Sequence, residues 1–394
     1  MPSVPPGRAA LAIFALALGG FAIGTTEFVT MGLLPEVAAG IDETIARSGH
    51  VISAYAAGVV VGAPVIVSLA ARLPRRGLVV GLILALGVGN ALTALASDYA
   101  TMMLARFVAG LPHGAYFGVA SLIAASLVPP SQRGRAVSRV MLGLSVATVV
   151  GVPASTWLGQ ALGWRAAYWL VVGVAVMTAL MLRAVPPRPG DPHATVRREL
   201  TALRQPQVIV AVLTGMVGFG GVFAMYSYVA PLIRQETGLP AGSVPWFLFA
   251  FGVGSVLGTW LAGRLADWDV ERAVVGGFAV SVVTLLLVAA GASSALATGA
   301  LMLVVGALGS VLAVNLQLRL MHVAGDAEML GAALNHSALN VANGLGAWLG
   351  SVVIAAGLGY RVPSVVGAGL AALGLVIFCG GLALQRRTYA ESHV

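Results

Sequence analysis

Lysine is absent from this chain of 394 residues, and all 22 of its basic side chains are arginine. A G-x-x-x-x-G-K-[ST] phosphate loop is therefore impossible, and ATP drive from this chain is excluded. Cysteine occurs once, at Cys379. One thiol excludes an intrachain disulfide and a cysteine-built metal cluster, and its place in the last apolar run fits packing. Neither H-E-x-x-H nor G-x-S-x-G occurs, and no paired carboxylates fall inside an apolar run, so hydrolytic chemistry has no signature here. Charge is scarce as well. Charged residues make up 9% of the chain, where a soluble domain carries about 25%. Aromatic residues are few, at 7%.

What remains is apolar. Hydrophobic residues make up 59% and the mean hydropathy is +0.95. Too little polar surface exists to keep a globule in water, so lipid is the solvent. A membrane-spanning helix needs roughly 20 apolar residues. Such runs fall at about 9–34, 48–71, 77–96, 99–128, 136–160, 164–184, 206–233, 243–265, 273–291, 294–320, 329–357 and 362–385. The alternating ten-residue strands of a barrel are missing. The 51 glycines suit helices that pack closely in lipid. The expected fold is an all-α integral membrane protein with twelve transmembrane helices in two six-helix, pseudo-symmetric bundles.

Arginine placement sets the expected orientation. Seventeen arginines fall on the side holding the even-to-odd connections and the termini, four on the other side, and Arg106 inside a span. That bias puts both termini and the middle loop in the cytoplasm. Arg8 ahead of an apolar stretch resembles a secretory signal, but the run is too long and more spans follow. The longest polar interruption, PPRPGDPHATVRRELTALRQP, divides the spans six and six. The expected domains are an N-terminal bundle over 1–185, a cytoplasmic linker over 186–205 and a C-terminal bundle over 206–394. Within the linker, ATVRRELTAL is either an amphipathic helix on the membrane surface or a solvated tether. Two halves about a cytosolic loop suggest a duplicated transporter with its site near the midplane. The short arginine-bearing turns SLAARLPRRG and AGRLADWDVERA echo each other at the same place in each half. The +8 net charge follows from this topology and does not signal nucleic-acid binding.

Several stretches carry a resemblance. GTTEFVTMGLLP (24–35), LARFVAGLPHGAYFG (104–118), GVPASTWLGQALGWR (151–165), GRLADW (263–268), MYSYVAPLI and LNHSALNVANGLGAWLG are spread along the chain. Together they resemble the major facilitator superfamily, and within it the twelve-span drug:proton antiporter branch of arabinose-efflux, purine-efflux and chloramphenicol-export proteins. Two departures stand out. Ala71 occupies the place where the superfamily's loop motif usually has Asp, and the fifth-helix motif reads Gly-Val-Pro with a residue inserted. The resemblance implies a secondary transporter of the bacterial inner membrane, not an enzyme. It implies no cofactor beyond the proton gradient, a small-molecule substrate, protons and membrane lipid as partners, and a monomer.

Glu27 lies inside the first apolar run. A charge at a span's centre costs roughly 2.5–3.5 kcal/mol on insertion scales, so a residue held there is a functional candidate. Arg106 also lies within a span and stays protonated in any protein environment. Each sits seven residues from the periplasmic end of its run, or roughly 10 Å deep at 1.5 Å per residue. The two opposite charges are thus expected at matched depth. Burial favours the neutral carboxyl and a neighbouring guanidinium favours the charged one. Glu27 is therefore read as a proton carrier tuned by Arg106, with a fixed ion pair and direct substrate contact as the other readings. His113, seven residues past Arg106, falls on the same helical face and is either a proton relay or a buried structural histidine.

The second half supplies uncharged polar groups. Tyr226 and Tyr228 fall on the seventh span, Asn315 and Gln317 on the tenth, and His336, Asn335, Asn340 and Asn343 on the eleventh. Rings with a few amides suit a small neutral or amphipathic ligand; interhelical hydrogen bonding is the alternative. Gly151 and Pro153 allow close packing and a bend in the fifth helix, the element that in the resembled antiporters seals one state. Arg72 and Asp267, in the two echoing turns, are the remaining expected gating residues. The function read from all this is proton-coupled export of a small organic solute or drug by alternating access. A proton-coupled uptake symporter and an uncoupled facilitator for sugar- or nucleoside-type solutes use the same fold.

Overall fold

The computed structural model describes residues 6–70, 73–129, 132–184, 205–324 and 328–391. Ala71, Arg72 and the expected linker, apart from Gln205, lie outside the described residues. The described residues are almost entirely helical, and ten stretches are long and apolar enough to cross a membrane. A further apolar helix of 21 residues, α4 (His50–Ala70), stands beside them. The chain forms two compact units. One comprises Met1–Ala194 with Ala241–Phe249, and the other Thr195–Pro240 with Ala250–Val394.

The first unit contains α1 (Pro6–Gly32), the short α2 (Leu34–Gly40) and α3 (Ile45–Ser48), α4, and α5 (Arg75–Leu95). The fourth span is divided into α6 (Tyr99–Gly110) and α7 (Pro112–Ser126). Its start is fixed by a capping box in which Asp98 accepts from the Thr101 amide at 3.0 Å. That backbone bond, helped by the Thr101 and Ser97 hydroxyls, holds the Asp98 carboxyl below its usual range. Its break follows from Pro112, which lacks an amide hydrogen and so withholds one helical bond. The fifth span is α8 (Arg133–Val146), a π turn over Ala147–Gly151, and α9 (Val152–Leu162). Gly163, at φ +90, is in the left-handed region that glycine tolerates best. It turns the chain into α10 (Trp164–Met181).

Helix α1 and Leu33, the residue after it, pack closely along the fifth span at three glycines. A Cβ at Gly143 would fall on the Ala17 carbonyl, one at Gly151 on the Thr25 hydroxyl, and one at Gly159 on the Leu33 side chain. Helix α4 meets the fourth span the same way. A Cβ at Gly110 would strike the Tyr55 carbonyl, and one at Gly58 the Phe107 carbonyl. Backbones this close are the membrane solution to packing where lipid offers no hydrophobic drive.

The second unit begins with a seventh span in pieces: α11 (Pro206–Gly218), α12 (Gly220–Tyr226), α13 (Val229–Pro231) and a π turn over Leu232–Glu236. Then come α14 (Val244–Gly291), whose residues Val244–Phe249 belong to the first unit, α15 (Ala295–Ala324), α16 (Glu328–Ala355) and α17 (Val362–Glu391). Helix α14 is 48 residues long with one non-helical residue, Asp269 (φ −172, ψ 108). The turn expected between the eighth and ninth spans is thus a single extended residue. Asp267 stands within the helix, and the carboxylate that caps the following segment is Asp269. The Asp269 carboxylate accepts from the Arg272 amide at 3.0 Å and pairs with the Arg272 side chain at 3.3 Å.

Arg319 also departs from expectation. Its place at the fading end of the tenth run groups it with the loop arginines, yet it is buried in α15. There it donates to Glu271 at 2.7 Å, to Gln207 at 3.3 Å and to Gln385. One guanidinium thus ties the beginnings of two helical segments to the ends of two others, as a buried charge requires partners.

Candidate functional site

In the first unit Arg106 comes against the chain at Thr26, the neighbour of Glu27. Glu27 on α1 is 6% exposed and Arg106 on α6 is fully buried. Arg106 Nη1 donates to the Thr26 hydroxyl at 3.2 Å and Nη2 to the Thr26 carbonyl at 3.1 Å. The guanidinium therefore rests on the residue next to Glu27. The depths matched in the sequence become proximity because α1 and α6 both pack against α4.

Helix α4 contributes a residue absent from the sequence expectations. Tyr55 is 1% exposed and lies under Arg106, with the guanidinium carbon 4.4 Å from the ring centroid. Its hydroxyl is 3.0 Å from Nδ1 of His113. His113 is buried on α7, with its ring 5.5 Å from that of Phe117. His113 lies beyond the break at Leu111, and Tyr55 still meets both it and Arg106.

Three more polar residues complete the cluster. The Thr26 hydroxyl donates to Asn90 Oδ1, and Asn90 Nδ2 donates to the Leu86 carbonyl at 2.9 Å. Tyr168 on α10 stands 5.8 Å from the Arg106 guanidinium carbon and shares a 2.8 Å hydrogen bond with Thr30. The Arg106 Nε has no hydrogen-bond partner among the described residues. Most of these groups carry a sequence signal. Asn90 is an isolated amide in GLILALGVGNALTAL, and Thr26 stands beside the carboxylate in GTTEF. Tyr55 carries none, because one ring in VISAYAAGVV counts as apolar. Gly151, last residue of the π turn, packs against Thr25, and Pro153 follows it as second residue of α9.

The second unit holds the remaining predicted residues. Tyr226 is buried at the end of α12, stacked on Phe251 with centroids 4.1 Å apart. Tyr228 is buried, and its hydroxyl donates to the Ala347 carbonyl at 2.6 Å, which ties the seventh span to α16. Asn315 is buried on α15 and donates to the Val311 carbonyl at 2.9 Å, while Gln317 is half-buried. On α16, Asn340 donates to the carbonyl of half-buried His336 at 3.0 Å. Several amide atoms here are buried without hydrogen-bond partners among the described residues: Oδ1 of Asn315, Asn335 and Asn340, and both polar atoms of Asn343. In the sequence Asn343 is one amide of a set; in the structure it is the least satisfied of them. An orphaned buried polar group costs about 1–3 kcal/mol, so these atoms suit water or a hydrogen-bonding solute.

Comparison with known proteins agrees with this architecture. The profile of the Major Facilitator Superfamily matches residues 16–334. The chain is 40% identical over 366 residues to the inner membrane transport protein YdhP of Escherichia coli K12, covering 93% of this chain and 94% of that one. It is 34% identical over 355 residues to a chloramphenicol resistance protein of Streptomyces lividans, covering 89% and 90%. Among solved structures it is similar to a bacterial homologue of the human lysosomal transporter Spinster, with a TM-score of 0.74, 15% identity and coverage of 98% and 99%. It is also similar to a D-xylose–proton symporter, with a TM-score of 0.75, 15% identity and coverage of 93% and 96%. The chain belongs to the Major Facilitator Superfamily, as a multi-pass transporter of the inner membrane.

Proposed function

We propose that the protein is a proton-coupled antiporter that exports a small organic solute by alternating access. In this reading it has twelve spans, six on each side of the 186–205 linker, with both termini cytoplasmic. Glu27 takes up a proton from the periplasm and releases it to the cytoplasm, while the solute moves outward. The observation that carries the reading is a nearly buried Glu27 whose chain neighbour, Thr26, holds the fully buried Arg106 through its hydroxyl and carbonyl. A cation so placed favours the carboxylate, and burial favours the acid. A conformational change that alters either balance changes proton affinity. The orphaned amides of Asn315, Asn340 and Asn343 offer donors and acceptors to a neutral or weakly basic solute. Tyr226, Tyr228, Gln317 and His336 are the other proposed contacts. Gly151, Pro153, Asp267 and Arg72 are proposed to act in closing the pathway. The relatives' names, chloramphenicol resistance in one and probable sugar efflux in another, favour export over the uptake symporter or facilitator.

Inverted membrane vesicles with an acid interior test this directly, with chloramphenicol and arabinose as the first probes. Wild-type vesicles are expected to accumulate the transported solute as protons leave, and an uptake symporter would drive it the other way. Glu27→Gln should lose gradient-driven accumulation and retain solute counterflow. Undiminished gradient-driven accumulation in that variant overturns the proton-carrier assignment.

A further inference from the structure

Tyr55 is a buried side chain that touches both sides of the break in the fourth span. Its ring carries the Arg106 guanidinium of α6 at 4.4 Å, and its hydroxyl meets His113 Nδ1 of α7 at 3.0 Å. Leu111 lies between those two helices and Pro112 begins the second. The backbone around Tyr55 has little room to shift, because Gly110 packs directly against the Tyr55 carbonyl. A phenol fixed in this way is neither filler nor cap, since a leucine would fill the space without meeting either group.

We propose that Tyr55 is a positioning residue that joins the charged centre at Glu27 and Arg106 to His113, so that α7 responds to protonation of Glu27. This rests on the reading of Glu27 as the proton site. The titratable and charged groups of the region are Glu27 on α1, Tyr55 on α4, Arg106 and His113 on either side of the break, and Tyr168 on α10. Helix α5 adds the neutral Asn90, and the fifth span meets α1 here through Gly151. The ring holds the guanidinium through its π face. When Glu27 gains a proton, the pull on Arg106 weakens, and the shared ring passes the change to its own hydroxyl. His113 then feels it through one hydrogen bond, across a break where Pro112 has no helical bond to donate.

The test reads Glu27 itself and needs no substrate. A carbodiimide modifies protonated buried carboxyls, and peptide mass spectrometry resolves the extent at Glu27 as pH varies. Wild type is expected to give a sigmoidal profile. Tyr55→Phe keeps the ring and removes only the hydroxyl, so the protein should fold. His113→Asn removes the other end of the bond. Each variant should displace the Glu27 midpoint in the same direction by about 0.4 to 1 pH unit, a factor of roughly 2 to 10 in proton affinity. The double variant should match either single one, because both delete the same link. An unchanged midpoint in Tyr55→Phe overturns the assignment, and so do additive displacements, which would mean that Tyr55 and His113 act separately. Modification of Glu27 that does not vary with pH would instead remove the proton-site reading on which the proposal stands.

Discussion

Replacing Thr26 by valine keeps the shape of the side chain and deletes one oxygen on which two interhelical bonds converge. That hydroxyl accepts from Arg106 at 3.2 Å and donates to Asn90. Taken as ordinary interhelical hydrogen bonds at about 0.6 kcal/mol each, the loss is roughly 1.2 kcal/mol. That figure understates the damage, because Arg106 is fully buried and its Nε has no partner among the described residues. A second orphaned donor on a charged group adds about 1–3 kcal/mol. Thr26→Val should therefore destabilise the protein by about 2–4 kcal/mol, whereas Thr26→Ser, which restores the hydroxyl, should stay near wild type. Detergent unfolding followed by the fluorescence of the seven tryptophans measures the difference. If Thr26→Val unfolds within about 0.5 kcal/mol of wild type, the range of an uninvolved surface change, the cluster is not built as described.

Two further expectations concern packing and unsatisfied amides. Gly143→Ala should lower stability by about 1–3 kcal/mol, because the new methyl would fall on the Ala17 carbonyl. Gly173→Ala, with open space at its Cβ, should be neutral or gain up to about 1 kcal/mol from helix propensity; equal melting shifts in the two variants would refute the packing argument. Asn343→Leu removes an amide with neither atom bonded among the described residues, so it should raise the melting temperature of the solute-free protein while impairing transport. A lower melting temperature would mean that the amide already has partners.

The spans are legible because apolar runs of the required length admit few alternatives in lipid. Their interruptions are not. The fourth span reads as continuous from 99 to 128, and the break appears where Pro112 meets close packing of Gly110 on Tyr55. At the turn before the ninth span, G-x-L-A-D points to Asp267. The sequence DWD offers two carboxylates, and only the backbone angles choose Asp269. Arg319 reads as a loop residue because the run fades near 320, whereas α15 continues to Ala324 and buries it. Glu27 and Arg106 are legible because isolated charges are costly in hydrocarbon. Tyr55 is not, because hydropathy weighs its ring and ignores its hydroxyl.

The three glycine contacts along α1 have a regular spacing. Residues 17 and 25 of α1 and residue 33 just past its end meet 143, 151 and 159 of the fifth span, in steps of eight on both. A slide by a single helical turn, about 5.4 Å, would take the Ala17 carbonyl, the Thr25 hydroxyl and the Leu33 side chain off their glycines together. Axial slippage of the first helix against the fifth is thereby forbidden, and the height of the carboxylate along that wall is fixed. Whatever opens Glu27 to water on one face of the bilayer and then the other must tilt this pair together or draw the remaining neighbours away from it.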